Sequence, residues 1–171
     1  MVVTFRVLRP RRPPYAQEVM NQVAAEADRV AQEIKQEYEG TVKTWDEKPE
    51  FTITRDIDQD FVRVTVGATG PNAQLYAGVD KGTGRHLILP HGEYPLTFRS
   101  GYHRKTHVGS MESVPGGWRT GRWVRRGAVI HPGTKARGFT KRLAEKYQPG
   151  FAHRIYNAIR RGLRQANARS R

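Results

Sequence analysis

The sequence predicts an α+β domain: an antiparallel sheet packed by a long N-terminal helix and by C-terminal helices, with an extended arm and a long loop. Three patterns predict it. Val19, Val23, Ala27, Val30 and Ile34 recur three or four residues apart, which lays one apolar stripe along a helix. Phe51–Arg55 and Phe61–Val66 alternate in polarity on either side of a polar link, as the two strands of a hairpin do. Phe151, Ile155, Ala158, Ile159 and Leu163 form a second helical stripe near the C-terminus, with Arg154, Arg160, Arg161 and Arg164 off it.

Taken in order, Val2–Leu8 is β-branched and weakly alternating, which suits a strand. The segment Arg9-Pro10-Arg11-Arg12-Pro13-Pro14 ends it, because proline supplies no ladder donor. Residues 1–14 therefore read as a strand with a stiff basic arm, of the kind that pairs with a neighbouring subunit. The first helix is expected from Tyr15 to about Tyr38, with Gly40 as its stop. Glu18, Glu26, Asp28, Glu33 and Glu37 lie largely off its stripe. In the hairpin, Asp56–Asp60 makes the link; Phe51 and Ile53 share one face, and Val62, Val64 and Val66 share another.

Asn72 to Gly84 reads as a short helical or turn segment closed by Gly82 and Gly84, and Leu87-Ile88-Leu89 as a brief strand. Pro90–Gly117 is rich in Gly, Pro, His and basic residues without periodicity, so it is expected as a long functional or partner-ordered loop. Thr97–Arg99 and Trp118–Val124 are candidate extended arms. Ala128-Val129-Ile130 is a strand leading into His131-Pro132-Gly133-Thr134. Pro132 suits position i+1 of a turn and Gly133 the positive φ of i+2, so a type II turn is expected there. A helix opens at Phe139, with Leu143 on the same face. Pro149-Gly150 is expected to separate it from the last helix, Phe151 to about Asn167. The expected division is thus 1–14, a core domain over 15–147, and a basic helix over 148–171.

Charge is distributed unevenly. The net is +14 over 171 residues, yet residues 1–60 carry −3 and residues 119–171 carry 15 basic side chains against a single acid, Glu145. Such a block seeks polyanions or an acidic protein face. Trp118 and Trp123 lie among Arg119, Arg122, Arg125 and Arg126, a combination that suits nonspecific contact with nucleic acid. No helix-turn-helix, zinc-finger or RNA-binding signature points to base reading.

Evidence for catalysis is thin. There is no cysteine and no G-x-S-x-G elbow. After residue 60 the acids are Asp80, Glu93, Glu112 and Glu145 alone; a His-carboxylate pair such as His91 with Glu93 lies in an irregular loop, where neighbours face apart as often as not. His103 and His107 are four apart, but Arg104-Lys105 between them disfavours a metal dication. Lys81–Gly84 and Gly133–Lys135 contain phosphate-loop residue types without the spacing of a Walker or dinucleotide loop. They are read as backbone turns. No catalytic residue, cofactor or metal is expected. No apolar run approaches the roughly 20 residues of a membrane span, and the N-terminus has the wrong order for a secretory signal. The chain is expected to be soluble and made in a cytoplasm.

Two segments carry a resemblance. Leu75-Tyr76-Ala77-Gly78-Val79-Asp80-Lys81-Gly82-Thr83 resembles the Tyr-Ala-x-x-Val-acid-x-Gly-Thr segment of the tail-completion (minor tail, neck) proteins of long-tailed phages. His131-Pro132-Gly133-Thr134-Lys135-Ala136-Arg137-Gly138-Phe139 is similar to the segment leading into their later helix, with Gly138 where that family commonly has proline. The order of elements also matches, over roughly residues 15–147. The resemblance implies a structural role and no enzyme: a homo-oligomeric ring, usually six-fold, at the head-proximal tail end or in the neck. Partners would be other neck and tail proteins (connector or stopper, tail terminator, tail tube), with nonspecific contact to packaged DNA and no membrane. Localisation would be the virion, after assembly in the host cytoplasm. In that setting Tyr76, Val79 and Phe139 would be core or interface anchors, and Gly82, Pro132 and Gly133 would set turns. Arg122, Arg125, Arg126, Lys135 and Arg137 would form a basic surface facing DNA or a partner. The competing expectation is a stand-alone basic nucleic-acid-binding protein.

Overall fold

The computed structural model describes residues 2–8, 16–58, 61–118 and 121–169. The Arg9–Pro14 arm, Arg119 and the Gln59-Asp60 end of the hairpin link lie outside the described residues. The first elements in chain order are β1 (Val2–Leu8), α1 (Ala16–Thr41), β2 (Glu50–Ile57), β3 (Phe61–Thr69), α2 (Ala73–Lys81) and β4 (His86–Ile88). They are followed by β5 (Leu96–Arg99), β6 (Tyr102–His103), β7 (Gly117–Trp118), β8 (Trp123–Arg126), β9 (Val129–His131) and α3 (Phe139–Arg169). The fold is α+β, with small antiparallel sheets. The chain forms two compact units. One comprises Met1–Tyr38, Phe51–Thr69 and Thr140–Arg171; the other comprises Glu39–Glu50 and Gly70–Phe139.

The first unit holds a three-stranded sheet in the order β1-β3-β2. Strand β1 is not an arm left for a neighbour: it runs antiparallel to β3 of its own chain, with Val3 opposite Val66 and Phe5 opposite Val64. The reason lies in β3, whose Val62, Val64 and Val66 are all buried. Pairing with β1 satisfies the outer backbone groups of β3 and widens its apolar face, on which Val3, opposite Val66, is also buried.

Helix α1 buries the expected stripe and continues through Gly40 to Thr41. Burial overrides the glycine: Tyr38 and Thr41, on either side of it, are almost fully enclosed. Tyr38 stacks on Phe51 with ring centroids 5.0 Å apart, and its hydroxyl donates to Thr140 Oγ1 at 3.0 Å. A helical glycine costs only about 1 kcal/mol relative to alanine, less than these side chains recover.

Helix α3 departs from the expected break. Residues 139–169 form one helix with Pro149 inside it. Proline removes one helical hydrogen bond and crowds the preceding turn. Buried side chains on both sides outweigh that: Leu143 before it, Ile155 and Ala158 after it. The C-terminal stripe is also narrower than expected. Ile155 and Ala158 are buried as expected, but Leu163 is exposed, and Gly162 and Ala166 continue the buried face instead. Small residues there let α3 approach α1 closely, for a Cβ placed on Gly162 would lie 2.5 Å from Val19 Cα.

In the second unit the stretch expected as an irregular loop, Pro90–Gly117, contains β5, β6 and the start of β7. Strand β5 pairs with β8, β6 with β7, and β4 with β9, each antiparallel. Strands this short give no readable alternation, and their partners are distant in sequence. The aromatic core of the unit runs Trp45–Tyr76–Phe139, with centroid separations of 6.1 and 5.8 Å.

Candidate functional site

Helix α2 ends at Gly82, whose φ of 78° turns the chain away. Strand β9 ends at His131, and Gly133 takes φ 92°, as position i+2 of a type II turn requires. The two turns meet. Thr83 and Thr134 exchange backbone hydrogen bonds of 2.9 and 3.0 Å, forming an isolated antiparallel bridge beyond the His86–His131 end of the β4–β9 ribbon. Two further bonds follow along the chain: Arg137 N–H donates to Val79 O at 3.1 Å and Gly138 N–H to Asp80 O at 3.0 Å. The stretch 135–138 thereby satisfies carbonyls in the last turn of α2, which otherwise lack partners. The glycines are required by proximity. A Cβ on Gly82 would meet Thr134 O at 2.6 Å, and one on Gly133 would meet Thr83 O at 2.2 Å.

The segments Leu75–Thr83 and His131–Phe139 therefore form one substructure. Tyr76 and Phe139 are buried in its core, Val79 is half-buried, Gly82 and Gly133 hold the turns, and Pro132 sits exposed at the bend. No protein-family model matches the chain, and neither a curated protein nor a solved structure matches it.

The basic residues do not form one surface. Arg122, Arg125, Arg126 and Lys135 are exposed, but Arg137 is buried. Its Nε donates to Thr106 Oγ1 at 3.2 Å and another guanidinium nitrogen to Lys135 O at 3.1 Å. Burial, and then the charge of Arg104, hold its pKa below the ordinary arginine value. Sequence alone placed it with its exposed neighbours because a charged side chain is rarely enclosed.

Register divides the remaining arginines. Thr97 pairs with Arg125 and Arg99 with Trp123, so these four share one face of the β5–β8 ribbon. Leu96, Phe98, Val124 and Arg126 share the other. The first face is exposed at all four positions, and the Arg99 guanidinium lies 4.9 Å from the Trp123 ring centroid. Arg99 was not legible as part of the basic surface, because its partner strand lies beyond a long intervening segment.

His103 and His107 are exposed. Among the described residues no three His, Cys, Asp or Glu side chains come together as metal ligands would. No helix of the described residues is long and apolar enough to cross a membrane.

The C-terminal arginines are partly spent within the first unit. Arg154 bonds Glu26 at 2.8 Å and grips both oxygens of Glu33 at 2.7 and 2.8 Å; Arg161 reaches Glu26 at 2.8 Å. The charge left to face a partner is smaller than the sequence total suggests.

Proposed function

We propose that this protein is an architectural component of the neck or head-proximal tail end of a long-tailed phage, assembling as a ring around the DNA channel and catalysing no reaction. The observation that carries this reading is the reciprocal Thr83–Thr134 pairing. Thr83 and Thr134 lie 51 residues apart, one in each of the two segments resembling the tail-completion family, and these segments fold into one hydrogen-bonded unit. Exposed apolar side chains support assembly. Leu87 and Ile130, directly paired in the β4–β9 ribbon, are 56% and 57% exposed, and Leu89 beside them is 62% exposed. A ring would bury such surface against the next subunit. Its partners would be a connector or stopper, a tail terminator or tail-tube protein, in the virion after assembly in the host cytoplasm.

A second reading, a stand-alone nucleic-acid-binding protein, is favoured by the Arg99–Trp123–Arg125 face. Charge there would contact phosphates and Trp123 would stack or wedge. Light scattering with and without tail-tube protein separates the two. The ring reading expects higher oligomers or co-assembly, lost in Leu87→Asp with the monomer still folded. A strictly monomeric protein, absent from virions, that binds duplex DNA with a steep salt dependence would replace it with the second reading.

A further inference from the structure

The second unit contains a cavity of about 720 Å³ bounded by Trp45, Val79, Arg104, Thr106, His131 and Arg137, among others. Its polar groups are unbalanced in kind. The Arg137 side chain has two acceptors, Thr106 Oγ1 and Lys135 O, against five guanidinium N–H groups. The charge acting on it is Arg104, another cation. The indole N–H of Trp45, also buried, has no acceptor among the described residues. His131 Nδ1 lies 3.0 Å from the Gly133 N–H and accepts it, which leaves Nε2 as the donor of the neutral ring. Arg137 and His131 therefore have donors to spare, while the Trp45 N–H is sealed by its neighbours. The two carboxylates at the cavity, Asp46 and Glu47, are exposed, and Asp46 is already held by Lys105 at 2.6 Å.

A buried guanidinium without a counter-charge among the described residues, on a cavity that a second arginine also lines, is the inverse image of an oxyanion. We propose that the cavity is an oxyanion-binding site that takes a phosphate or carboxylate group against Arg137, with Arg104, which also lines it, completing the donor set. The ligand enters as a small ion or a projecting side chain. The Arg137 side chain is too enclosed for the phosphates on a duplex to reach it. This site is independent of the ring reading, since it rests on donor accounting within one unit.

The test is titration of the full-length protein with inorganic phosphate and, separately, with glutarate as a stand-in for a glutamate side chain. Calorimetry gives the affinity, and the Trp45 indole N–H resonance, assigned by its loss in Trp45→Phe, reports the site. At least one anion is expected to bind with a Kd of about 1 mM or tighter, moving that resonance. Tighter binding of phosphate identifies a mobile phosphate as the ligand; tighter binding of glutarate identifies a protein carboxylate. Arg104→Met, at an exposed position on the cavity rim, removes one cation and should weaken binding about tenfold. Arg137→Met should weaken it by about 10- to 100-fold. If Arg137→Met does not fold, Arg104→Met decides. Failure of both anions to bind overturns the proposal, as does binding that leaves the Trp45 indole unmoved and is unchanged by Arg104→Met.

Discussion

Thr83 and Thr134 are bound to each other twice through the backbone and a third time through the Thr83 hydroxyl, which accepts the Thr134 N–H at 3.0 Å. The pairing is possible because glycine precedes each of them, at positions 82 and 133. The first consequence concerns those glycines. Gly133→Ala would put a Cβ against Thr83 O at a φ that L side chains rarely adopt. It should cost about 3 kcal/mol or more from backbone strain and overpacking together. Gly82→Ala should behave similarly. Gly84→Ala, where a Cβ meets nothing within 4 Å, should stay within about 0.5 kcal/mol of the parent. Urea midpoints at fixed slope would measure all three.

Glu26 is the hub of the first unit's ion pairs, with a side chain 5% exposed and three arginines on it: Arg29, Arg154 and Arg161. Removing a buried partner strands the cations around it. Arg154 keeps Glu33, so Glu26→Ala is expected to cost about 2 kcal/mol, below the usual range for a fully buried pair. Thermal unfolding of the variant would show it.

The same cluster sets an acid sensitivity. Burial pushes the Glu26 carboxyl up, but the hydrogen bonds from Arg154 and Arg161 and the charge of Arg29 together hold it below its ordinary value of 4.5; at Glu33 the Arg154 bond is the largest influence, in the same direction. A carboxyl depressed on folding contributes stability above its unfolded value and loses it as pH falls through the folded one. Melting temperature should therefore be level above about pH 4.5 and drop below it. Glu26→Gln should shallow that drop; an identical profile in the variant would remove Glu26 from the explanation.

Gly162 sets two effects of opposite sign against each other. Alanine is favoured over glycine in a helix by about 1 kcal/mol. A Cβ at 162, however, would lie 2.5 Å from Val19 Cα and 3.0 Å from Glu18 O. Backbone atoms cannot swing aside, and overpacking of this kind costs about 1–3 kcal/mol. Gly162→Ala is expected to be destabilising by chemical denaturation. Gly150→Ala, on the same helix with open space around it, is expected to stabilise.

Pro149 is exposed within a continuous helix. Replacing it with alanine restores a backbone donor and relieves the clash with the preceding turn. A gain of about 1–3 kcal/mol is expected, read as a higher denaturant midpoint. Unchanged stability would mean that the geometry imposed by Pro149 is itself needed for packing.

The parts of this protein legible from sequence are those whose cause is local. The stripe from Val19 to Ile34 produces α1 because helical periodicity is a property of the residues themselves. Phe51–Val66 reads as a hairpin because the strands alternate on either side of one short link. Pro132-Gly133 reads as a turn, and Phe139 as a helix start, from backbone preferences that need no partner. Tertiary structure decided the rest, through contacts between residues far apart in the chain. It placed β1 beside β3, carried α3 through Pro149 by burial on both sides, and drew Arg154 and Arg161 onto Glu26. It divided the basic residues, leaving Arg125 on an exposed ribbon face and enclosing Arg137 beside Thr106. It also joined the turns at Gly82 and Gly133 into one structure. A charge or a glycine has the same local signature in each of these settings; only the groups brought against it by folding determine whether it is solvated, paired or enclosed.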